Sequence, residues 1–249
     1  MSYCPSCQSE LDASVGTACP KCGYSVSIIP VEQSLAVCAH RAIRPGSVKV
    51  GATLDGTGST GAYQASIPLI FGDVLECLAS LVAKLDIDVW KHGDEEYKEA
   101  PAQLVQSGSA LEALAAVRSI RYGGGFDAAE THATQIERLL NVTAWGTRLV
   151  GCRNVLLAFL TDDTKPLPSG KSMRQLGAEI KDKRVKLFLV CQSTPTLRDL
   201  VDAAGGFLIE ISNNPDSAEV KKVVNSLCAA LTVTMSGAGG TIPMSAVVV

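Results

Sequence analysis

The sequence predicts an α/β protein with a doubly wound, mostly parallel sheet of the Rossmann-like kind and a small N-terminal zinc ribbon. From residue 47 onward, apolar runs of strand length alternate with amphipathic helical stretches, which is the order of elements in α/β folds. The runs at 47–54, 154–161 and 185–191 are continuously apolar, as strands are when helices cover both faces of a parallel sheet. Four of the nine cysteines lie in the first 22 residues as two Cys-x-x-Cys pairs.

The N-terminal cysteine pairs are separated by 11 residues, a spacing that lets four thiolates converge on one tetrahedral ion. Because thiolates fill every coordination position, the predicted Zn²⁺ is structural, and it supplies the folding energy of a ribbon over residues 1–25. A redox function is the weaker alternative, since neither pair lies between a strand and a helix. The predicted zinc ligands are Cys4, Cys7, Cys19 and Cys22.

The remaining elements follow in order along the chain. Residues 26–46 are predicted to be a linker, 47–235 the main domain and 236–249 a C-terminal tail. The run at 103–107 follows the previous strand through HGDEEYKEAP, which is too short for a crossover helix, so it is predicted to be an antiparallel edge strand. Strands are predicted at 47–54, 86–91, 103–107, 154–161, 185–191 and 206–211. Helices are predicted at 70–85, 109–120, 127–140, 172–182, 196–204 and 216–230.

Composition excludes several classes of protein. The net charge of −3 gives no reason to expect nonspecific binding to nucleic acid or to anionic membranes, and Lys21 is the only basic residue among the first 25. No apolar run approaches the roughly 18 residues that a membrane helix needs, and the N-terminus lacks the regions of a signal peptide. We therefore expect a cytoplasmic protein that has no membrane partner and for which a nucleic-acid partner is disfavoured.

The stretch LDGTGSTGA at 54–62 fits two different motifs. Its glycines spell Gly-x-Gly-x-x-Gly, the fingerprint of dinucleotide-binding loops. In that interpretation Asp55 would direct a negative charge at the pyrophosphate. The acidic residue that normally follows about 20 residues later has only one approximate counterpart, Asp94. The dinucleotide interpretation is therefore the weaker of the two.

The same stretch also spells Asp-x-Thr-x-Ser, a set of oxygen donors for a hard cation. Asp55, Thr57 and Ser59 come directly after the first strand, and two further carboxylates follow other elements at the same edge: Asp162 after an apolar strand and Asp127 after RYGGGF. Carboxylate and hydroxyl oxygens suit Mg²⁺ or Mn²⁺. The sequence therefore favours a divalent-cation site over a phosphate site.

These motifs resemble the von Willebrand factor A family over about residues 47–235. The resemblance rests on the Asp-Gly-Thr-Gly-Ser loop, a triple glycine between two helices, and LTDD where the family commonly has Thr-Asp-Gly. It implies a metal-ion-dependent adhesion site in which Thr57 and Ser59 coordinate through hydroxyls, and Asp55 and Asp162 bind directly or through water. Asp127 resembles an acidic variant of the second loop, where many members have threonine.

The resemblance implies a binding protein with no enzymatic activity, an intracellular adaptor that docks a protein partner at the metal and offers the ribbon as a second contact. Intracellular bacterial members linked to tellurite resistance and stress response are similar in organisation. A metal-dependent phosphate-ester hydrolase is the alternative, with Asp163 and Glu130 as its spare acidic groups, and nucleic-acid binding through the ribbon is a further one. Asp163 is expected to face solvent or cap a turn, and the three histidines are expected to have ordinary surface or core roles.

Overall fold

The computed structural model describes residues 2–3, 10–11, 46–125, 129–146 and 152–236. The chain divides into two compact units, Met1–Arg44 and Pro45–Val249. In the first unit, Ser2–Tyr3 pairs antiparallel with Glu10–Leu11. The predicted zinc ligands Cys4, Cys7, Cys19 and Cys22, the linker and most of the C-terminal tail lie outside the described residues, as does Asp127.

The second unit is built on a six-stranded sheet with the order β6-β5-β4-β1-β2-β3. All neighbouring strands are parallel except β2 and β3, so the predicted antiparallel edge strand is confirmed. This order reverses between β1 and β4, as in doubly wound dinucleotide-binding sheets. The strands are β1 (Ser47–Asp55), β2 (Leu85–His92), β3 (Ala102–Gly108), β4 (Cys152–Phe159), β5 (Val185–Cys191) and β6 (Phe207–Glu210).

Helices cover both faces of the sheet. One apolar core joins α1, α2 and α6 to one face, and a second joins α3, α4 and α5 to the other, so β1, β4 and β5 are buried almost throughout. This double burial explains their continuous apolar sequence. The helices are α1 (Ile67–Leu81), α2 (Ala110–Ser119), α3 (His132–Val142), α4 (Met173–Asp182), α5 (Pro195–Ala204) and α6 (Ser217–Ser236).

Several predicted boundaries were wrong. The helix predicted at 127–140 begins only at His132, because Ala129–Glu130 pairs as a short strand with Asp163–Thr164. The helix predicted at 70–85 begins earlier, at Ile67, because Pro68 suits the first turn of a helix. Within the described ranges, no single helix has the length and hydropathy to cross a membrane; the 3₁₀ segment Gly58–Ala65 and α1 meet the criterion only jointly, across a bend of 55°.

Candidate metal centre

The candidate site lies where the sheet order reverses. β1 carries Asp55 to its C-terminal end, and the chain then passes through a 3₁₀ helix into α1 on one face of the sheet. β4, the neighbour of β1, leads through Thr161 toward α4 on the other face. Because the two connections leave in opposite directions, they open a crevice beyond the strand ends, the usual ligand position in such sheets.

The Asp55 carboxylate is completely buried and is surrounded by hydrogen-bond donors. Its Oδ1 accepts from the Thr57 amide at 2.9 Å and from Thr57 Oγ1 at 2.7 Å. Its Oδ2 accepts from the Thr161 hydroxyl, 106 residues further along the chain. The Ser59 hydroxyl completes the group, 2.8 Å from Thr57 Oγ1 and 3.3 Å from Thr161 Oγ1. We call Asp55, Thr57, Ser59 and Thr161 the oxygen cluster.

The spacing within the oxygen cluster fits a small octahedral cation. Mg²⁺ binds oxygen at about 2.1 Å, so adjacent ligands of an octahedron lie about 3 Å apart. Three oxygen–oxygen separations along the cluster, 2.7, 2.8 and 3.3 Å, are close to that value. The donor set also suits Mg²⁺ or Mn²⁺, which prefer carboxylate, hydroxyl and water oxygens.

Two glycine segments shape the loop that carries the cluster. The Gly58 amide donates to the Gly124 carbonyl at 3.0 Å, and the Gly123 amide donates to the Gly56 carbonyl at 3.0 Å. A Cβ on Gly58 would lie 2.8 Å from the Gly124 oxygen, so the two backbones meet too closely for a side chain. These glycines therefore join the two loops to each other, a role that requires no bound phosphate.

The second loop brings Glu130 to the side of the cluster. A Cβ on Gly125 would lie 3.0 Å from Thr57 Cβ and 3.2 Å from Glu130 Oε1, so Thr57 and Glu130 flank the same glycine. The Glu130 side chain is completely buried. Among the described residues, Glu130 is thus the carboxylate that the second loop supplies. Sequence reasoning had treated it only as a spare group, and Asp127 lies outside the described residues.

The two aspartates after β4 have different surroundings. The Asp162 side chain is half-buried, and within the described part of the chain its carboxylate makes no hydrogen bond to the oxygen cluster. The adjacent Thr161 makes that contact instead. Asp163 accepts hydrogen bonds from the hydroxyls of Thr194 at 2.7 Å and Thr196 at 3.1 Å, so it is held against the start of α5, whose N-cap is Thr194.

Two buried histidines adjoin the cluster. His92 is the register partner of Asp55 across β1 and β2, and His132 begins α3. Burial raises the pKa of the Asp55 carboxyl, but the electrostatic influence of His132 and His92 and the hydrogen bonds from Thr161 and Thr57 outweigh it, so the pKa of Asp55 lies below its usual value. Burial lowers the pKa of His92 to about 3, and this imidazole is therefore neutral near pH 7.

Sequence reasoning missed Thr161 and the histidine pair, and it identified Glu130 only as a spare acidic group. Thr161 had a detectable signal, a hydroxyl at the end of the most apolar run in the chain. The histidines had none, because 40 residues separate them along the chain. Across the described ranges, no group of three or more His, Cys, Asp or Glu side chains is arranged to hold a metal. A metal here would therefore depend mainly on hydroxyl ligands around Asp55.

The four cysteines within the described ranges, Cys77, Cys152, Cys191 and Cys228, are free thiols. Comparison of the chain with models of known protein families gives no match, and comparison with curated proteins gives none either.

Proposed function

We propose that the chain is a metal-dependent protein-binding adaptor in which the oxygen cluster holds Mg²⁺ or Mn²⁺. The observation that carries this proposal is the convergence of Asp55, Thr57, Ser59 and Thr161 with the oxygen spacing of an octahedral ion. The resemblance of the Asp-x-Thr-x-Ser loop to a metal-ion-dependent adhesion site supports it. Asp162 and Glu130 would complete the ligand set, directly or through water.

When bound, the cation would present an open coordination position to an acidic or hydroxyl group of a protein partner. The chain's own residues would set the strength of that contact. Each additional carboxylate near the ion reduces its attraction for an acidic partner, so Glu130 and Asp127 would weaken such binding relative to a site rich in hydroxyls. The zinc ribbon would offer a second contact, and the free cysteines support a reducing, intracellular setting.

The contacts of the histidines favour binding over hydrolysis. A hydrolase needs a general base that can reach the attacking water. Both ring nitrogens of His92 and of His132 are occupied by hydrogen bonds to protein groups. Of the two spare acidic groups, Asp163 is engaged by Thr194 and Thr196, and Glu130 is assigned to the ligand set of the ion.

The first prediction is that Mg²⁺ or Mn²⁺ raises the melting temperature of the protein. A ligand at about 100 times its Kd adds about 2.7 kcal/mol to the free energy of unfolding. Asp55→Asn keeps the shape of the side chain but removes its charge, and it should abolish the metal-dependent shift. Thr57→Val, Ser59→Ala and Thr161→Val should weaken that shift. Differential scanning calorimetry in EDTA and in added metal measures both effects.

Asp163→Asn is the matched control, because Asp163 lies beside the predicted ligands but is directed toward α5. It should keep the metal-dependent shift whatever its effect on basal stability. A wild-type protein that ignores divalent cations but is stabilised by a dinucleotide would contradict the proposal. Capture of partners from the native cell, with wild type and Asp55→Asn compared in Mg²⁺ and in EDTA, tests whether binding depends on the metal.

A further inference from the structure

A continuous chain of hydrogen bonds runs through the protein interior to the oxygen cluster. Thr53 Oγ1 lies 2.8 Å from His92 Nδ1, and His92 Nε2 lies 2.9 Å from His132 Nδ1. His132 Nε2 in turn bonds to the carbonyl oxygen of Thr161. Thr53 and His132 are completely buried and His92 is 1% exposed, so water does not compete for these groups. The chain links β1, β2 and α3 to the segment that follows β4.

The hydrogen-bonding capacity of each group determines which atom donates and which accepts along this chain of hydrogen bonds. A carbonyl oxygen only accepts, so His132 Nε2 must carry a hydrogen. With one hydrogen on each ring, Nδ1 of His132 is left as an acceptor. It then accepts from His92 Nε2–H. His92 Nδ1 accepts from the Thr53 hydroxyl, and every donor has one acceptor.

The chain of hydrogen bonds ends at the Thr161–Asp162 peptide, whose backbone conformation is unfavourable without supporting contacts. Asp162 has φ of 53°, a left-handed conformation that costs energy for a residue with a side chain. His132 bonds to the carbonyl on one side of the Thr161–Asp162 peptide, and Gln192 Oε1 accepts from the Asp162 amide on the other side at 3.1 Å. Both polar groups of this peptide are therefore fixed by side chains from other elements.

We propose that Thr53, His92 and His132 form a positioning relay that fixes the Thr161–Asp162 peptide, so that the Thr161 hydroxyl stays directed at Asp55 and Ser59. The relay contributes no metal ligand of its own. Its effect on the cation rests on the proposed function, because a displaced Thr161 would remove one oxygen from the cluster. Substitution of a residue that positions a metal ligand through a hydrogen bond typically changes the metal affinity about tenfold or more.

The relay is tested first in the absence of metal, with the full-length protein in EDTA. Long-range ¹H–¹⁵N spectra of the imidazoles should show the hydrogen of each ring on Nε2. Thr53→Val removes the first donor at nearly constant volume, whereas Thr53→Ser keeps it. In methyl-labelled protein, the Thr161 methyl signal should shift or split in Thr53→Val and stay near its wild-type position in Thr53→Ser.

A second pair of variants tests the other end of the relay. His132→Gln retains an N–H donor that can reach the Thr161 carbonyl, whereas His132→Leu does not. The Thr161 signal should therefore be displaced further in His132→Leu than in His132→Gln. If either leucine or valine variant fails to fold, the remaining pair still decides the question. A hydrogen on Nδ1 of His132, or a Thr161 signal that is identical in wild type and Thr53→Val, would overturn the relay.

Metal titration separates this inference from the proposed function. With Mn²⁺, Thr53→Val should bind about tenfold more weakly than wild type, and Thr53→Ser should bind close to wild type. If wild type binds no Mg²⁺ or Mn²⁺ while the imidazole and Thr161 signals behave as expected, the metal function fails and the relay stands. If wild type binds metal but Thr53→Val changes neither its affinity nor the Thr161 signal, the relay fails and the metal function stands.

Discussion

At the scale of single residues, Asp55 has two opposing influences on its charge. Complete burial disfavours the ionised carboxylate, whereas the electrostatic influence of His132 and His92 and the hydrogen bonds from Thr161 and Thr57 favour it. The favourable influences prevail, and the pKa of Asp55 lies below its usual value. The charge is therefore stabilised by the fold itself, and the protein is prepared for a cation before any cation binds.

This balance predicts a pH dependence of stability. The pKa of Asp55 is lower in the folded protein than the value of about 3.9 expected after unfolding, so its contribution is present above about pH 4 and is lost as the pH falls through the folded value. Urea denaturation in EDTA should show that wild type loses more free energy of unfolding than Asp55→Asn between about pH 5 and about pH 2.5. Parallel acid profiles for the two proteins would contradict this explanation.

At the scale of elements, two helix glycines have different surroundings. Gly177 in α4 faces α5 so closely that a Cβ would lie 2.5 Å from the Leu200 carbonyl oxygen and 2.7 Å from Ala203 Cβ. Gly72 in α1 faces α2, where a Cβ would lie 3.5 Å from Leu114 Cδ1, an ordinary contact distance. The first glycine permits two helices to approach each other, and the second occupies a position that an alanine could also fill.

The two positions should therefore respond in opposite directions to the same substitution. Alanine is favoured over glycine inside a helix by about 1 kcal/mol. Gly72→Ala should gain about this amount in the free energy of unfolding. Gly177→Ala should lose stability instead, because the overlap with backbone atoms of α5 costs about 1–3 kcal/mol or more. Chemical denaturation of both variants beside wild type measures the difference. Equal shifts of the same sign would show that the close contact between α4 and α5 does not penalise a Cβ on residue 177.

At the scale of the whole molecule, the chain divides into a small and a large unit, which we expect to fold by different means. The large unit buries two apolar cores, one on each face of its sheet. The first 25 residues contain little apolar material, so their folding is predicted to depend on four thiolates and one zinc ion. The two units should therefore respond separately to the loss of metal.

We predict one Zn²⁺ per full-length chain and none in a chain that begins at Pro45. That shorter chain should unfold cooperatively and keep its response to Mg²⁺ or Mn²⁺, because the oxygen cluster lies entirely within the large unit. Cys4→Ser should expose the N-terminal segment to protease and leave the large unit intact. Elemental analysis and limited proteolysis are the measurements. Full-length protein that lacks zinc and whose four N-terminal cysteines alkylate freely would refute the ribbon.

The amino-acid sequence alone was enough to predict the fold class and one loop of the candidate site. Alternating apolar runs and amphipathic helices predict an α/β sheet because burial on both faces requires continuous apolar strands, and the short polar connection before β3 was sufficient to predict its antiparallel direction. Asp55, Thr57 and Ser59 were identifiable because they belong to one loop, where spacing along the chain determines spacing in space. Helix boundaries were less predictable, since the start of α3 depends on a pairing with Asp163–Thr164.

Only the tertiary structure decided which distant groups join that loop. Thr161 reaches Asp55 because β1 and β4 are neighbours in the sheet, and Glu130 is brought near Thr57 by the packing of two glycine segments. His92 and His132 looked like unrelated residues because their contact depends on where the end of β2 meets the start of α3. Hydrogen bonds act over about 3 Å, and the order of residues along a chain does not report distances of that size between separate elements.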